Sequence, residues 1–163
     1  LMGMPREPTI FNEVSKVAKC INVNITQGGC SWLHAVVQIE KESDEQIKKV
    51  IDAAFKGHSS LKHVFVVDKD INPNDMQAVE WCLATRFQAD KDLYLYPKEK
   101  GSSLDPSAEQ PSRKTCKVGF DLTVPLARDS KHFERVQYEK VDLKKILKLK
   151  GFLCSSQKKS VLC

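Results

Sequence analysis

Residues 28–41, GGCSWLHAVVQIEK, decide the fold of this chain. The Gly-Gly pair favours a tight turn, and the apolar, β-branched run that follows ends in the charged residues Glu40 and Lys41. A short apolar run bounded by a turn and by charge is typical of a buried strand. The stretch therefore predicts one buried strand of an α/β sheet at residues 34–39.

Helical and strand patterns alternate on both sides of this strand. Apolar residues at helical spacing predict a helix over residues 8–19, and a short strand follows at residues 21–25. Ser43 and Gln46 have the spacing of a capping box, which predicts Ser43 as the N-cap of the next helix.

Three more elements lead to a fold class. Residues 63–68 are almost continuously apolar, as strands covered on both faces are. A helix is predicted from Pro73 to about Thr85, and a fourth strand at residues 92–96 ends at Pro97. Strands alternating with helices predict right-handed crossovers and a mainly parallel sheet flanked by helices, a Rossmann-like three-layer α/β sandwich in a single domain.

The periodicity stops at residues 98–117, a long polar segment of the kind that forms lids or interaction loops. This loop follows the carboxyl end of a strand, where open α/β sheets bind ligands. Residues 118–122 predict a short edge strand. With a further helix near its end, residues 1–150 are assigned to one α/β domain and residues 151–163 to a flexible basic tail.

Length and composition, 163 residues and 41% hydrophobic, suit one domain with an ordinary core. No window approaches the roughly 20 apolar residues that span a bilayer, and the first residues lack an apolar secretory core. The chain is therefore predicted to be cytoplasmic, with no transmembrane segment. Its six cysteines are scattered without a C-x-x-C pair, which argues against zinc and favours reduced thiols, although a Cys154–Cys163 disulfide is an alternative.

The net charge of +5 comes from the C-terminal end of the chain. Residues 131–163 hold nine Lys and Arg against three Asp and Glu, which leaves 17 against 18 elsewhere. Lysines interleaved with leucines at residues 142–150 predict a surface helix with a solvated face. An anionic partner or a membrane surface is the alternative. No aromatic residues interleave with these lysines, which argues against nucleic acid.

Few residues suggest chemistry. Asp68 and Asp70 follow a buried strand, where they could bind a metal or a ribose, or satisfy turn amides and cap the next helix. The histidines have no partner at a recognisable spacing, and His34 and His63, at strand entries, are interpreted as satisfied edge residues and not as bases. Arg86 is predicted to form a structural ion pair with Asp90 and Asp92, or an interface contact in an oligomer. Phosphate-binding and nucleophile-elbow motifs are absent, so the residues assemble no catalytic set.

Five short segments carry a resemblance: MPREPTI (4–10), GGCSW (28–32), DKDI (68–71), ATRF (84–87) and KVGFD (117–121). In order and spacing they resemble the C-terminal domain of the UbiD-like, prenylated-flavin-dependent decarboxylases, with a Leu-Asp-Pro loop like that of the archaeal branch. The similarity runs from about Gly3 to about Thr123.

The resemblance implies a division of labour. In this family a larger N-terminal part binds prenylated FMN with a divalent metal and carries the catalytic Arg and Glu residues, none of which matches a segment of this chain. The chain is therefore expected to contain no catalytic residue, cofactor site or metal site and to be inactive alone. The implied partner is the N-terminal flavin-binding domain of the same enzyme, whose implied reaction is decarboxylation of an aromatic or α,β-unsaturated acid.

The resemblance also implies a lid and an oligomer. In the family this domain helps to build a homo-oligomer and closes over the substrate, and a Leu in the loop after the fourth strand acts as a latch. By position that Leu is Leu104, so Gly101, Ser102, Ser103 and Leu104 are the expected substrate lid, with Gly101 as the hinge. The alternative function is a free-standing interaction domain that binds an anionic partner through the basic residues 140–159.

Overall fold

The computed structural model describes residues 3–136. The elements are, in chain order, a 3₁₀ turn Met4–Arg6, helix α1 Glu7–Val14, strand β1 Lys19–Ile25, strand β2 His34–Glu40, helix α2 Gln46–Gly57, strand β3 His63–Asp68, helix α3 Met76–Thr85, strand β4 Leu93–Lys100, strand β5 Lys114–Asp121 and a 3₁₀ turn Ser130–Phe133. The chain up to Phe133 makes one compact unit.

The five strands form one sheet in the order β1-β2-β3-β5-β4. Strand β3 runs parallel to β2 and β5, whereas β1 is antiparallel to β2 and β4 is antiparallel to β5. The α/β fold class is confirmed, and the sheet is mixed: parallel in its centre, with an antiparallel strand at each edge. The β1–β2 and β4–β5 connections contain no helix. Parallel pairing needs a long crossover, which is usually a helix, so these two pairs of strands are antiparallel.

Two apolar clusters place the helices on opposite faces of the sheet. Along β2, Ala35, Val37 and Ile39 pack in the cluster that includes residues of α1 and α2. Val36 points the other way, into the cluster that contains residues of α3. Because successive side chains of a strand alternate between faces, the sheet is the middle one of three layers, as predicted.

The first two helices begin or end differently from the prediction. Helix α1 stops at Val14 instead of residue 19, because the amides of Val17 and Ala18 both donate to its carbonyl and close a turn, at 3.0 Å each. The predicted capping box at Ser43 is wrong. The N-cap is Glu45, without a side-chain hydrogen bond, and Gln46 Nε2 donates to the carbonyl of Val17 at 2.9 Å, which joins α2 to the end of α1. Gln46 Oε1 accepts from the amide of Glu42 at 3.1 Å.

The predicted loop at residues 98–117 is shorter than expected, because β4 continues past Pro97 to Lys100. Strand β4 lies at the edge of the sheet, where a missing backbone N–H costs no ladder hydrogen bond. The register shifts between Tyr96 and Glu99, and Lys98 has a φ of 61°. The irregular segment is therefore residues 101–113.

Strand β5 is longer than the predicted strand at residues 118–122, and it lies inside the sheet instead of at the edge. Gly119 permits this placement beneath α2. A Cβ atom at this position would lie 2.6 Å from two carbon atoms of Ile51.

The predicted helix at residues 142–150, the tail at residues 151–163 and the domain boundary at residue 150 lie outside the described residues. None of the helices within residues 3–136 has the length and apolar character needed to cross a bilayer.

Candidate functional site

The two regions singled out from the sequence lie at opposite edges of the sheet. Asp68 ends β3 and therefore lies at the carboxyl edge of the parallel strands. Loop 101–113 joins β4 to β5 at the pair Lys100 and Lys114, which is the amino edge of those strands. The expectation that this loop leaves the ligand-binding edge of the parallel sheet is wrong, because β4 runs antiparallel to its neighbour.

Two buried polar residues anchor the loop. Ser102 is 4% exposed, and its Oγ accepts hydrogen bonds from Trp32 Nε1 at 3.2 Å and from the amide of Leu104 at 3.1 Å. Asp105 is 3% exposed, and its carboxylate lies 2.9 Å from Lys62 Nζ. The same carboxylate accepts from the amide and the hydroxyl of Ser107, at 3.0 and 2.7 Å. The loop is thus held on both sides of Leu104.

Leu104 itself is 55% exposed, and Ser103 beside it is also exposed. At Gly101 a Cβ atom would lie 2.9 Å from Thr115 Cγ2 and 3.2 Å from the carbonyl oxygen of Arg113. Glycine is needed there by the close approach of the chain entering β5. All four expected lid residues lie in this one loop, and their roles as hinge and lid stay predictions.

Trp32 lies under the loop at the end of a tight turn. Cys30 and Ser31 in this turn have φ values of 59° and 52°, a region that residues other than glycine rarely occupy. His58 Nε2 donates to the carbonyl of Trp32 at 3.1 Å, and the two rings meet edge to face at 4.4 Å. The indole is therefore held by contacts with both His58 and Ser102.

Arg6 also contacts this indole. Its guanidinium carbon is 5.7 Å from the centre of the Trp32 ring, within the range of a cation–π contact. Neither Arg6 nor Trp32 was singled out from the sequence as a site residue. The available signal was that both lie in segments that carry the family resemblance, MPREPTI and GGCSW.

A histidine pair lies at the same edge, at the starts of β2 and β3. His34 Nε2 and His63 Nδ1 are 2.7 Å apart, so one imidazole donates to the other. The two are directly opposite in the parallel register, which their separation in sequence does not reveal. Burial lowers the pKa of both, that of His63 to about 4, and the positive charge of Lys62 adds to the effect.

This pair predicts a pH dependence of stability. Since the pKa of His63 falls from 6.5 to about 4 on folding, only the unfolded chain binds the proton between these values. The free energy of unfolding is therefore unaffected by this proton above pH 6.5, and it decreases as the pH falls from 6.5 towards 4. We expect urea midpoints to fall over this range, and to fall less in His63→Gln. The exposed His132 supplies the control His132→Gln, and equal pH profiles for the two variants would contradict the prediction.

The carboxyl edge holds an ion-pair cluster around Arg86, which is 5% exposed. Its Nη2 lies 2.6 Å from Asp70 Oδ2, and its Nη1 lies 3.4 Å from Asp68 Oδ2. The predicted pairing with Asp90 and Asp92 is wrong. Asp92 accepts from a backbone amide at 2.7 Å, and Asp90 is exposed. Helix α3 ends just before Arg86, whose side chain reaches back towards the end of β3.

The chain after β5 covers this edge. Asp68 Oδ2 accepts from the amide of Val124 at 2.7 Å. Lys41 Nζ donates to the carbonyl of Val124 at 2.6 Å and to Thr123 Oγ1 at 2.9 Å. Burial raises the pKa of Asp68. The contacts support the structural alternative for Asp68 and Asp70, although α3 is capped by Asp75 and not by either of them.

The described residues offer few groups for covalent or metal chemistry. Within residues 3–136 no three His, Cys, Asp or Glu side chains are placed to hold a metal ion. The cysteines of this part of the chain are free thiols: Cys20, Cys30, Cys82 and Cys116. Cys154 and Cys163 lie outside it. The amino edge, with its anchored loop and the indole beneath, is therefore the candidate functional site.

Comparisons with known proteins give the family of this chain. Residues 1–122 match the family model described as 3-octaprenyl-4-hydroxybenzoate carboxy-lyase C-terminal domain. The anhydromevalonate phosphate decarboxylase of Methanocaldococcus jannaschii is 51% identical over 138 residues, which are 84% of this chain and 33% of that protein. The chain thus spans about a third of the length of this relative.

Solved structures show the same fold. The UbiD-class enzyme HmfF from Pelotomaculum thermopropionicum, in complex with FMN, matches with a TM-score of 0.78 and 39% identity, over 93% of this chain and 33% of that one. An evolved dimeric form of HmfF in complex with prFMN matches with a TM-score of 0.68 and 34% identity, over 88% and 30%. The resemblance found in the sequence is confirmed: the chain belongs to the UbiD family of decarboxylases, and residues 1–122 match its C-terminal domain.

Proposed function

We propose that this chain is the substrate-lid and oligomerisation domain of a UbiD-class decarboxylase that acts on anhydromevalonate phosphate or a closely similar phosphorylated, unsaturated acid. The single observation that carries the lid role is Leu104, an exposed apolar side chain on a loop anchored on both sides. The substrate class rests on the 51% identity with a decarboxylase of that name.

The geometry of the loop supports closure over a ligand. Exposing a leucine to water is unfavourable, whereas covering it against an apolar substrate stabilises the closed state by roughly 25 cal/mol per Å² of buried apolar surface. The anchors at Ser102 and Asp105 limit the entropy that the loop loses on closure. Because the loop is anchored to the rest of the domain, we propose that Leu104 reaches the substrate when the whole domain moves.

The cofactors belong to the rest of the enzyme in this proposal. HmfF has been solved with FMN and, in an evolved form, with prFMN. Residues 3–136 do not fit a metal site, because no three suitable side chains converge there. We therefore assign prenylated FMN, the divalent metal and the acid-base groups to the N-terminal flavin-binding domain, and the present chain alone is expected to be inactive.

Homo-oligomer formation is the second part of the proposal. Trp81 and Phe87 are half-buried against the cluster around α3. Leu95 on edge strand β4 is 60% exposed and Leu83 on α3 is 37% exposed. These two exposed side chains are the candidates that we propose for a contact between subunits.

The test uses the complete enzyme, a control reaction with this chain alone, and Leu104→Ala. We expect the complete enzyme to decarboxylate anhydromevalonate phosphate and the chain alone to bind no flavin by absorption spectroscopy. Leu104→Ala should lower kcat/KM by about tenfold, in the range of other lid and positioning effects. Its thermal unfolding should be unchanged, because the side chain is largely exposed.

Leu126 provides a matched control, since it has the same 55% exposure but lies after β5, at the opposite edge. Leu126→Ala should keep the activity of the wild type. Equal activity of the two variants and the wild type at all substrate concentrations would contradict the lid role.

The alternative function, binding of an anionic partner through residues 140–159, concerns residues that the structure does not describe. It would gain support if the reading frame before Leu1 encoded no flavin-binding half.

A further inference from the structure

We propose that Arg6, held on the face of Trp32, binds the phosphate group of the substrate when the domain closes. The inference rests on the proposed function, and it adds a specificity-determining residue at the same edge.

A continuous series of contacts links Arg6 to the lid. The amide of Leu104 and the indole N–H of Trp32 both donate to Ser102 Oγ, at 3.1 and 3.2 Å. The face of the same indole is in contact with Arg6, whose guanidinium carbon is 5.7 Å from the ring centre. One serine and one indole therefore link the main chain of Leu104 to the guanidinium of Arg6. A short apolar acid with a phosphate at its far end has matching chemistry.

The main chain at Arg6 is fixed as well. Its amide donates to the carbonyl of Gly3 at 2.8 Å, and its carbonyl accepts from Thr9 Oγ1 at 2.7 Å. The next residue, Glu7, accepts from the amide of Ile25 at 2.8 Å. Binding a ligand would therefore cost little ordering of the backbone.

The charge of Arg6 is available to a ligand. Of the neighbouring cations, Lys62 is paired with Asp105, and Lys117 is buried with its Nζ donating to the carbonyl of Ser59 at 2.6 Å. Arg6 is exposed and has no carboxylate partner within residues 3–136. Burial lowers the pKa of His58, and the charges of Arg6 and Lys117 lower it further, so the surroundings of Trp32 are electropositive. Guanidinium groups bind phosphate oxygens in a planar, bidentate geometry.

The test measures ligand binding and turnover with the complete enzyme. The binding probes are n-pentyl phosphate and n-pentanol, titrated by calorimetry into the flavin-free protein. Wild type should prefer the phosphate, Arg6→Gln should weaken phosphate binding by about tenfold or more and leave pentanol unchanged, and Arg6→Lys should restore part of the affinity. In turnover, Arg6→Gln should raise KM for anhydromevalonate phosphate by a similar factor, with kcat within about twofold.

Arg128 is an exposed arginine after β5, at the other edge of the sheet, and Arg128→Gln is the matched control for loss of one positive charge. Equal phosphate affinity of Arg6→Gln and the control, or a wild type without preference for the phosphate, would overturn the inference. If the wild type turns over anhydromevalonate phosphate in such a case, only the role of Arg6 fails. If the wild type does not turn it over at all, the proposed function itself fails.

Discussion

Arg86→Ala is expected to lower the free energy of unfolding by about 3 kcal/mol, the low end of the cost of removing one partner from a buried ion pair. The arginine side chain is 2% exposed and lies between Asp68, 19% exposed, and Asp70, 54% exposed. Its removal leaves the carboxylate of Asp68 without its cation in a site where burial already raises its pKa. The low end applies because water reaches Asp70 and screens its charge.

The measurement is urea denaturation of the domain at several pH values. In Arg86→Ala the difference from wild type should shrink as the pH falls through the acid range, because protonation of Asp68 removes the uncompensated charge. Lys48→Ala is the matched control, since it removes a cation from the exposed pair with Asp52, where the expected loss is within about 0.5 kcal/mol. A loss for Arg86→Ala no larger than that of the control would show that the cluster adds no stability.

Gly57→Ala is expected to cost about 2 kcal/mol, even though alanine is the better helix former by about 1 kcal/mol. Gly57 is the last residue of α2, where α1 crosses it. A Cβ atom there would lie 2.6 Å from Ile10 Cα and 2.9 Å from the carbonyl oxygen of Thr9. These are backbone atoms, so α1 must move as a unit, away from the core that contains the fully buried Ile10. The displacement would also strain the hydrogen bond from Thr9 Oγ1 to the carbonyl of Gly57.

Thermal unfolding of Gly57→Ala should show a lower midpoint than the wild type. Gly28→Ala is the control, because no atom lies within 4 Å of a Cβ built at that position. We expect Gly28→Ala to unfold like the wild type. If the two variants unfold at the same temperature, the crossing of α1 and α2 is looser than these distances indicate.

Local sequence predicted the elements well where the apolar pattern was strong. Strands β2 and β3 begin at the predicted residues, and α3 ends where expected. These segments have continuous or periodic apolar runs whose burial the layered architecture preserves. The predictions failed at Ser43 and at Pro97, where tertiary structure overrides the local sequence rule. The side chain of Gln46 donates a hydrogen bond to the end of α1. Strand β4 continues through Pro97 because an edge strand tolerates proline.

The candidate site was predicted in part. The resemblance placed the expected lid residues in one loop, and in the structure Ser102 is buried and hydrogen-bonded whereas Leu104 is exposed. Trp32 and Arg6 were missed as site residues, because their contacts join residues that are distant in sequence. The pairing of His34 with His63 was missed for the same reason.

The sequence by itself determined the class of fold, the order of its elements and the family, because these depend on local patterns and on motifs in a fixed order. Only the tertiary structure decided the direction of the edge strands and the partners of the charged residues. Because β4 runs antiparallel to β5, the loop between them lies at the amino edge of the parallel strands. Because Arg86 directly follows α3, its side chain reaches Asp68 and Asp70 at the end of β3. Such choices depend on which surfaces meet in space, and no local periodicity records that information.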